Sequence, residues 1–192
     1  MLSSRLLLLP IISIQTGGHM GRVTSAIIDP RQLKIIAFRC EGPAIQIDPA
    51  ILHSEDIREV SNLGLIINST DNIMAVDDLV RLKEVMDLDF KLEDKLVVEE
   101  SGHKIGKVTA YSVEVSSFYI IKLHVKPGLI SSFKTTERII DRNQIVEITP
   151  EKVVVKSATV KEEKPAAVRT MPVVENPFRR TTAQPDMSNQ PD

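Results

Sequence analysis

Short apolar runs alternate with glycine-, proline- and charge-bearing turns along most of this chain, and the series runs twice in the same order. An apolar run at 7–14 leads into Thr16-Gly17-Gly18-His19, and one at 95–99 leads into Ser101-Gly102-His103-Lys104. Glycine supplies the positive φ of tight hairpins, so each reads as strand, turn, strand. The next strands are expected at 21–28 and 106–115, where the alternation of faces is blurred as in a strand curled within a small barrel. Asp29-Pro30-Arg31-Gln32 and residues 114–117 form the following turns, with proline presetting φ. Apolar strands at 33–40 and 118–125, segments at 50–60 and 137–148, and closing strands at 65–67 and 153–155 complete each series.

Residue by residue, Gly21-Arg22-Val23-Thr24 returns as Gly106-Lys107-Val108-Thr109, and Ile35-Ile36 as Ile120-Ile121, at an offset of 85. Leu52, Ile57, Glu59, Val60, Leu65, Ile66 and Ile67 return as Ile140, Ile145, Glu147, Ile148, Val153, Val154 and Val155 at an offset of 88, the drift left by one loop insertion. A unit this long suits two copies of a small domain rather than a solenoid. The expected organisation is a first copy at 1–74, a connecting segment at 75–91, a second copy at 92–156 and a disordered tail at 157–192. In the connector, Asp77-Asp78 is placed to cap a short helix, and Leu79, Leu82, Val85 and Met86 share one helical face. The helix reads as a connector burying its own apolar face, with a partner-binding helix as the alternative.

Apolar residues are 42% of the 192, but aromatics are only 4% and Trp is absent, so the cores must be built from Ile, Val and Leu, which favours strands. A net charge of −2 gives no general pull toward nucleic acid or anionic membrane. Cys40, the only cysteine, excludes an intramolecular disulfide, and its alignment with Val125 makes it a small buried apolar residue. Arg5 and the run Leu6-Leu7-Leu8-Leu9-Pro10-Ile11-Ile12 read as the first strand of the first copy, with a secretory signal as the alternative. No stretch reaches the length of a membrane span.

Candidate chemistry is sparse. His19 and His103 occupy the same turn in both copies, and turn polarity accounts for them without a ligand; their spacing is far from that of a zinc site. Gly17-Gly18-His19-Met20-Gly21 lacks the Lys-Ser/Thr ending of a phosphate loop. Asp77 and Asp78 would point about 100° apart on a helix and cannot act as an acid/base pair. No catalytic residue, metal site or cofactor is expected. Lys104, Lys107, Lys122 and Lys126 give the second copy some basic character, which Glu99, Glu100 and Glu114 offset; a solvated strand face is the expectation. The tail, rich in Lys, Glu, Pro and Thr, cannot bury enough apolar surface to fold. Within it, Val173-Val174 and Phe178-Arg179-Arg180 stand out as apolar and basic islands with the composition of a docking motif.

The arrangement "G-K/R-V", then Asp29 or Glu114, an Ile/Val-rich strand with Ile35-Ile36 or Ile120-Ile121, then Leu52-Ile57-Val60 or Ile140-Ile145-Ile148 and a closing apolar strand, resembles the PRC-barrel domain. The resemblance covers residues 5–156 in two copies. It implies an all-β fold of two tandem small PRC-like β-barrels with a short connecting helix and a disordered C-terminal tail. The family includes the cytoplasmic domain of the photosynthetic reaction-centre H subunit and the C-terminal domain of a ribosome-maturation factor. What it implies of function is a small non-catalytic barrel that binds other proteins.

The function expected is a protein-binding adaptor or assembly factor. Its contacts are expected in the second copy's loop at Leu129, Ile130 and Phe133, and in the tail at Val173, Val174, Phe178, Arg179 and Arg180. The partner is a protein; nucleic acid enters only indirectly, through ribosomes. The alternatives are a ribosome-associated maturation factor and a regulatory subunit at the cytoplasmic face of a membrane complex. The location expected is cytoplasmic, with a place at the inner face of the membrane under the last reading.

Overall fold

The repeated tetrad Gly-Arg/Lys-Val-Thr is a β-bulge built twice. Strand β2 (Gly18–Asp29) pairs with β3 (Lys34–Glu41), and β9 (Lys104–Val113) with β10 (Ile120–Lys126). Val23 lies opposite Cys40 and Ser25 opposite Arg39, leaving Thr24 as the extra residue; Val108 opposite Val125 and Ala110 opposite His124 leave Thr109. Each threonine hydroxyl donates to the carbonyl across the bulge, Thr24 to Arg39 at 3.2 Å and Thr109 to His124 at 3.3 Å. The valines are fully buried. The glycines lie where a Cβ would collide with the carbonyl oxygen of Glu41 or Lys126, so any side chain there forces the next loop away. Glycine, valine and threonine of the tetrad thus each have one physical task, performed in both copies.

The computed structural model describes residues 1–76, 80–128 and 137–157. They form a mostly β structure with two sheets. The first contains β1 (Pro10–Ser13), β2, β3, β4 (Ala50–His53), β5 (Ile57–Val60), β6 (Leu65–Ile67) and β7 (Ile73–Ala75), in the order β5-β6-β1-β2-β3-β4-β7. The second contains β8 (Leu96–Glu99), β9, β10, β11 (Arg138–Asp141), β12 (Ile145–Ile148) and β13 (Lys152–Val155), in the order β12-β13-β8-β9-β10-β11, and curls into a half-barrel. Strand for strand the six-membered order is the same, including the one parallel pairing in each copy, β1 with β6 and β8 with β13. Four bulges recur at equivalent positions, leaving Met20, Thr24, Ile36 and Arg58 unpaired in one copy and Ile105, Thr109, Ile121 and Val146 in the other. Each bulge flips the face of the residues that follow, which is why simple alternation fails along β2 and β9.

The structure departs from the sequence expectation at the start of the chain and at β7, a strand that was not expected. The first strand is confined to Pro10–Ser13, preceded by a helical turn, α1 (Ser3–Leu6). Leu8 stands between them at φ 75, a left-handed conformation that ends one element before the next begins. The connecting helix, α2 (Val80–Met86), lies against the first sheet: Leu82, with Val85 and Met86, covers Ile27, Ala37 and Ile51. The capping pair Asp77-Asp78 and Leu79 lie outside the described residues.

Met1–Ala158 form one compact unit whose main core draws on both copies. The copies meet through the starts of β3 and β10. Lys34 and Tyr119 form an antiparallel bridge; Ile35 N–H donates to Phe118 C=O and Ile120 N–H to Leu33 C=O, both at 3.0 Å. Because 33, 34 and 35 are the counterparts of 118, 119 and 120, each bond is the other's symmetry mate, as in an isologous dimer interface. Phe118 also packs edge-on against Phe38, ring centroids 5.6 Å apart. The N-terminal arm adds a further tie: Val113 N–H donates to Met1 C=O at 2.7 Å, and Tyr111 N–H to Ser3 Oγ at 3.3 Å.

Candidate functional site

The two copies differ most at one sheet edge. In the first, β7 pairs with β4, setting Ala75, Met74 and Ile73 opposite Ala50, Ile51 and Leu52. Helix α2 then covers the outer face of Ile27, Ala37 and Ile51, and Ile51 is 0% exposed. In the second, β11 is the terminal strand of its sheet, with no strand on its outer side among the described residues. The counterparts of Ile27, Ala37 and Ile51 are Ser112, Lys122 and Ile139, and Ile139 is 56% exposed. A strand edge left without a partner strand among the described residues, beside an exposed isoleucine, is a template for an added strand.

The face beside this edge is basic, again by divergence from the sister copy. Arg22 and Glu41 sit opposite each other on β2 and β3 and form an ion pair at 2.6 Å. Their counterparts, Lys107 and Lys126, sit opposite each other on β9 and β10, both exposed and without an acidic partner within 4 Å among the described residues. Like charges directly across a ladder are destabilising. Arg138 lies on β11 opposite Val125, so it shares the side of the sheet that Val125 faces and not that of Lys126, at the place where the first copy has the buried Ala50. The nearby acids are engaged: Glu137 accepts from Thr109 Oγ1 at 3.4 Å and stands 3.7 Å from His124 Nδ1, and Asp141 stands 4.0 Å from Lys122. His124 Nε2 is 2.9 Å from Ser112 Oγ, which fixes the ring.

A cleft of about 260 Å³ lies where the copies meet, lined in part by Ser25, Arg39, Asp89, Glu93 and Tyr111. Burial pushes the Tyr111 phenol up from its ordinary range, and the Glu93 carboxylate adds to the effect. Burial likewise raises the Glu93 carboxyl, partly offset by a hydrogen bond to its own backbone and reinforced by Asp94. Both groups are therefore biased toward their neutral forms, and neither His nor Cys lines the cleft. Burial pushes the Cys40 thiol up to about 12, so it remains a thiol at neutral pH. His19 and His103 are exposed in their turns. Among the described residues no three His, Cys, Asp or Glu side chains cluster as a metal site would require, and no helix is long and apolar enough to cross a membrane.

The contact residues expected from sequence, Leu129, Ile130, Phe133, Val173, Val174, Phe178, Arg179 and Arg180, lie outside the described residues. Sequence reasoning missed Ile139 and the Lys107–Lys126 pair. The signal for both was in the alignment of the copies: an isoleucine retained at 139 while Ile27 and Ala37 gave way to Ser112 and Lys122, and a plus–minus pair that became plus–plus. No family model matches the chain, and no curated protein matches it.

Proposed function

We propose that the chain is a non-catalytic protein-binding adaptor, built from two PRC-like barrels, that docks its partner on the β11 edge. The observation that carries this reading is the asymmetry of the edges: Ile51 is sealed under β7 and α2, while Ile139 stands exposed on a terminal strand. Duplication supplies one copy that completes its own sheet and another that leaves a place for a further strand. Main-chain hydrogen bonds along β11 supply affinity and the side chains around Ile139 supply selection. The loop at 129–136, which joins β10 to β11, and the tail islands at 173–180 extend the contact. Two linked contacts raise apparent affinity through effective concentration.

A pull-down from a lysate of the source organism, comparing the full chain with Ile139→Lys and with a chain ended after Lys156, tests the reading. A defined protein lost with Ile139→Lys supports it. A partner retained by that variant and lost only on truncation moves the contact to the tail. Equal recovery of partners by all three removes both sites. Small-subunit ribosomal proteins among the losses would favour the maturation-factor alternative; integral membrane proteins would favour the regulatory-subunit alternative.

A further inference from the structure

We infer that the segment docking on β11 is an extended strand with two apolar residues followed by acidic ones. The inference rests on the docking reading above and adds the chemistry of the occupant.

The first copy supplies the template. There β7 lies antiparallel to β4 with Ile73 against Leu52, Met74 against Ile51 and Ala75 against Ala50, and the sequence continues Val76-Asp77-Asp78. Transposed to the second copy, the same three positions oppose Ile140, Ile139 and Arg138. Ile140 is buried on the core side and Ile139 is exposed on the outer side, so the first two positions require apolar side chains. The third position, small in β7 because Ala50 is buried, now faces the exposed Arg138 and requires Asp or Glu. Beyond it the next position meets Glu137, which is turned to Thr109 Oγ1 and His124, and the strand runs on toward the end of the sheet where Lys126 and Lys107 stand opposite each other. Acidic residues there relieve the repulsion that the Arg22–Glu41 pair relieves in the sister copy.

The surface favours peptide over nucleic acid for two reasons. An open strand edge complements another strand's main chain. The described side chains on this face, Ser112, Lys122, His124 and Ile139, include no Phe, Tyr or Trp, and the His124 ring is held between Ser112 Oγ and Glu137.

The test uses the full chain labelled with ¹⁵N and the peptide of residues 69–78 carrying Ala75→Glu. The control is the same peptide with Ala75→Lys, Asp77→Lys and Asp78→Lys. The expected result is movement of the amides of residues 138–141 and 122–126. Affinity should exceed that of the control by about tenfold at low salt, the effect of a few exposed charge contacts. That preference should shrink with Lys126→Glu and disappear when Arg138→Glu is added; Lys126→Glu sets an acid opposite Lys107 as Glu41 stands opposite Arg22 and is expected to fold. Equal binding of both peptides at the edge would overturn the acidic motif and leave edge docking standing. No movement of the β11 amides with either peptide would overturn the motif, and the pull-down with Ile139→Lys decides separately on the adaptor. A 12-nucleotide single-stranded RNA that moves the Lys107 and Lys126 amides more strongly than the peptide, without moving residues 138–141, would overturn it in favour of nucleic acid.

Discussion

Leu33 and Phe118 hold the same left-handed backbone conformation, at φ 47 and 59, and each carbonyl accepts the amide two residues beyond the other. Both occupy the last position of a β-hairpin turn, where glycine is the usual choice, and both are buried. Such a conformation costs a non-glycine residue about 1 to 3 kcal/mol. Burying a leucine or phenylalanine contributes about 1.5 to 3 kcal/mol, so the side chain at this place roughly offsets its own strain. Both copies made the same choice because the residue serves two purposes: it closes a hairpin and fills the seam between the copies.

That balance makes the order of two substitutions diagnostic. Leu33→Ala should lower stability by about 3 kcal/mol, since it opens a cavity and keeps a Cβ in the left-handed region. Leu33→Gly removes more atoms but also the strain, and should be about 1 kcal/mol less damaging than Ala. Urea midpoints of the two variants check this, and the same order is expected at Phe118. A glycine variant less stable than the alanine one would show that the backbone there is not strained.

Arg142 breaks the symmetry of the seam. Its Nη1 donates to Leu33 C=O at 2.9 Å and Ile120 C=O at 3.2 Å, its Nη2 donates to Gln32 C=O at 2.6 Å, and the guanidinium lies 4.9 Å from the Tyr119 ring centroid. The counterpart in the first copy is Ser54. Arg142→Ser should therefore cost about 2 kcal/mol, the scale of a few charge-assisted bonds at a half-buried site. Arg142→Lys should recover little of that, because one ammonium cannot span three carbonyls in the geometry of the planar fork. A lysine variant as stable as the parent in thermal or urea unfolding would reduce the arginine to a simple charge.

How much of this was legible in the chain depends on how each element is encoded. Five segments per copy were, because a pattern stated twice averages out local noise, and the drift from 85 to 88 falls in one place, between β10 and β11. The division of 50–60 and 137–148 into two strands each was not, because the turns Ser54–Asp56 and Arg142–Gln144 that divide them are only three residues long. Strand β7 was not: Ile73–Ala75 is three residues long and lies outside the repeated pattern, too short for periodicity to register. The helical turn at Ser3–Leu6 was not either: four residues make a single turn, too short for a helical period, and the leucine run that starts at its last residue suits a strand. The lysines of the second copy were visible, but weighing them against Glu99, Glu100 and Glu114 assumed an even mixture. The register of β9 on β10 sets Lys107 against Lys126, while those glutamates lie at the ends of β8 and β9. Electrostatics depends on which residues are neighbours across a ladder, and linear composition does not carry that.

Glu93 gives the protein a pH dependence of defined sign. Its carboxyl titrates above the ordinary 4.5, chiefly through burial, so over the interval between the unfolded and folded values the folded state holds more protons. Stability contributed by this group is full below the unfolded value and is lost as pH rises through the folded one. Glu93→Gln should therefore be more stable than the parent at pH 7, with the advantage shrinking as pH falls through the folded value toward 4.5 and absent below it. Thermal midpoints of both proteins from pH 3.5 to 8 check the sign. An advantage for the glutamate at pH 7 would mean that a favourable partner for its charge outweighs the burial.

The pairs Arg22–Glu41 and Lys107–Lys126 occupy one position in two copies, which allows the charges to be exchanged within a single protein. Lys126→Glu replaces a repulsion with an attraction and should stabilise the chain by about 0.5 kcal/mol, as expected for exposed pairs. Glu41→Lys does the reverse in the first copy and should destabilise by a similar amount. Both effects should shrink as salt is raised toward 1 M, where exposed charges are screened within about 3 Å. The double variant should come close to the parent, since the sites lie in different sheets and share no partner. The measurement is a set of four urea melts at two salt concentrations. If Lys126→Glu brings no gain at low salt, the lysines already avoid each other through their flexible stems. The like-charge pair then carries no cost to be relieved by an acidic partner, and the Arg138 position alone must account for any preference for acid.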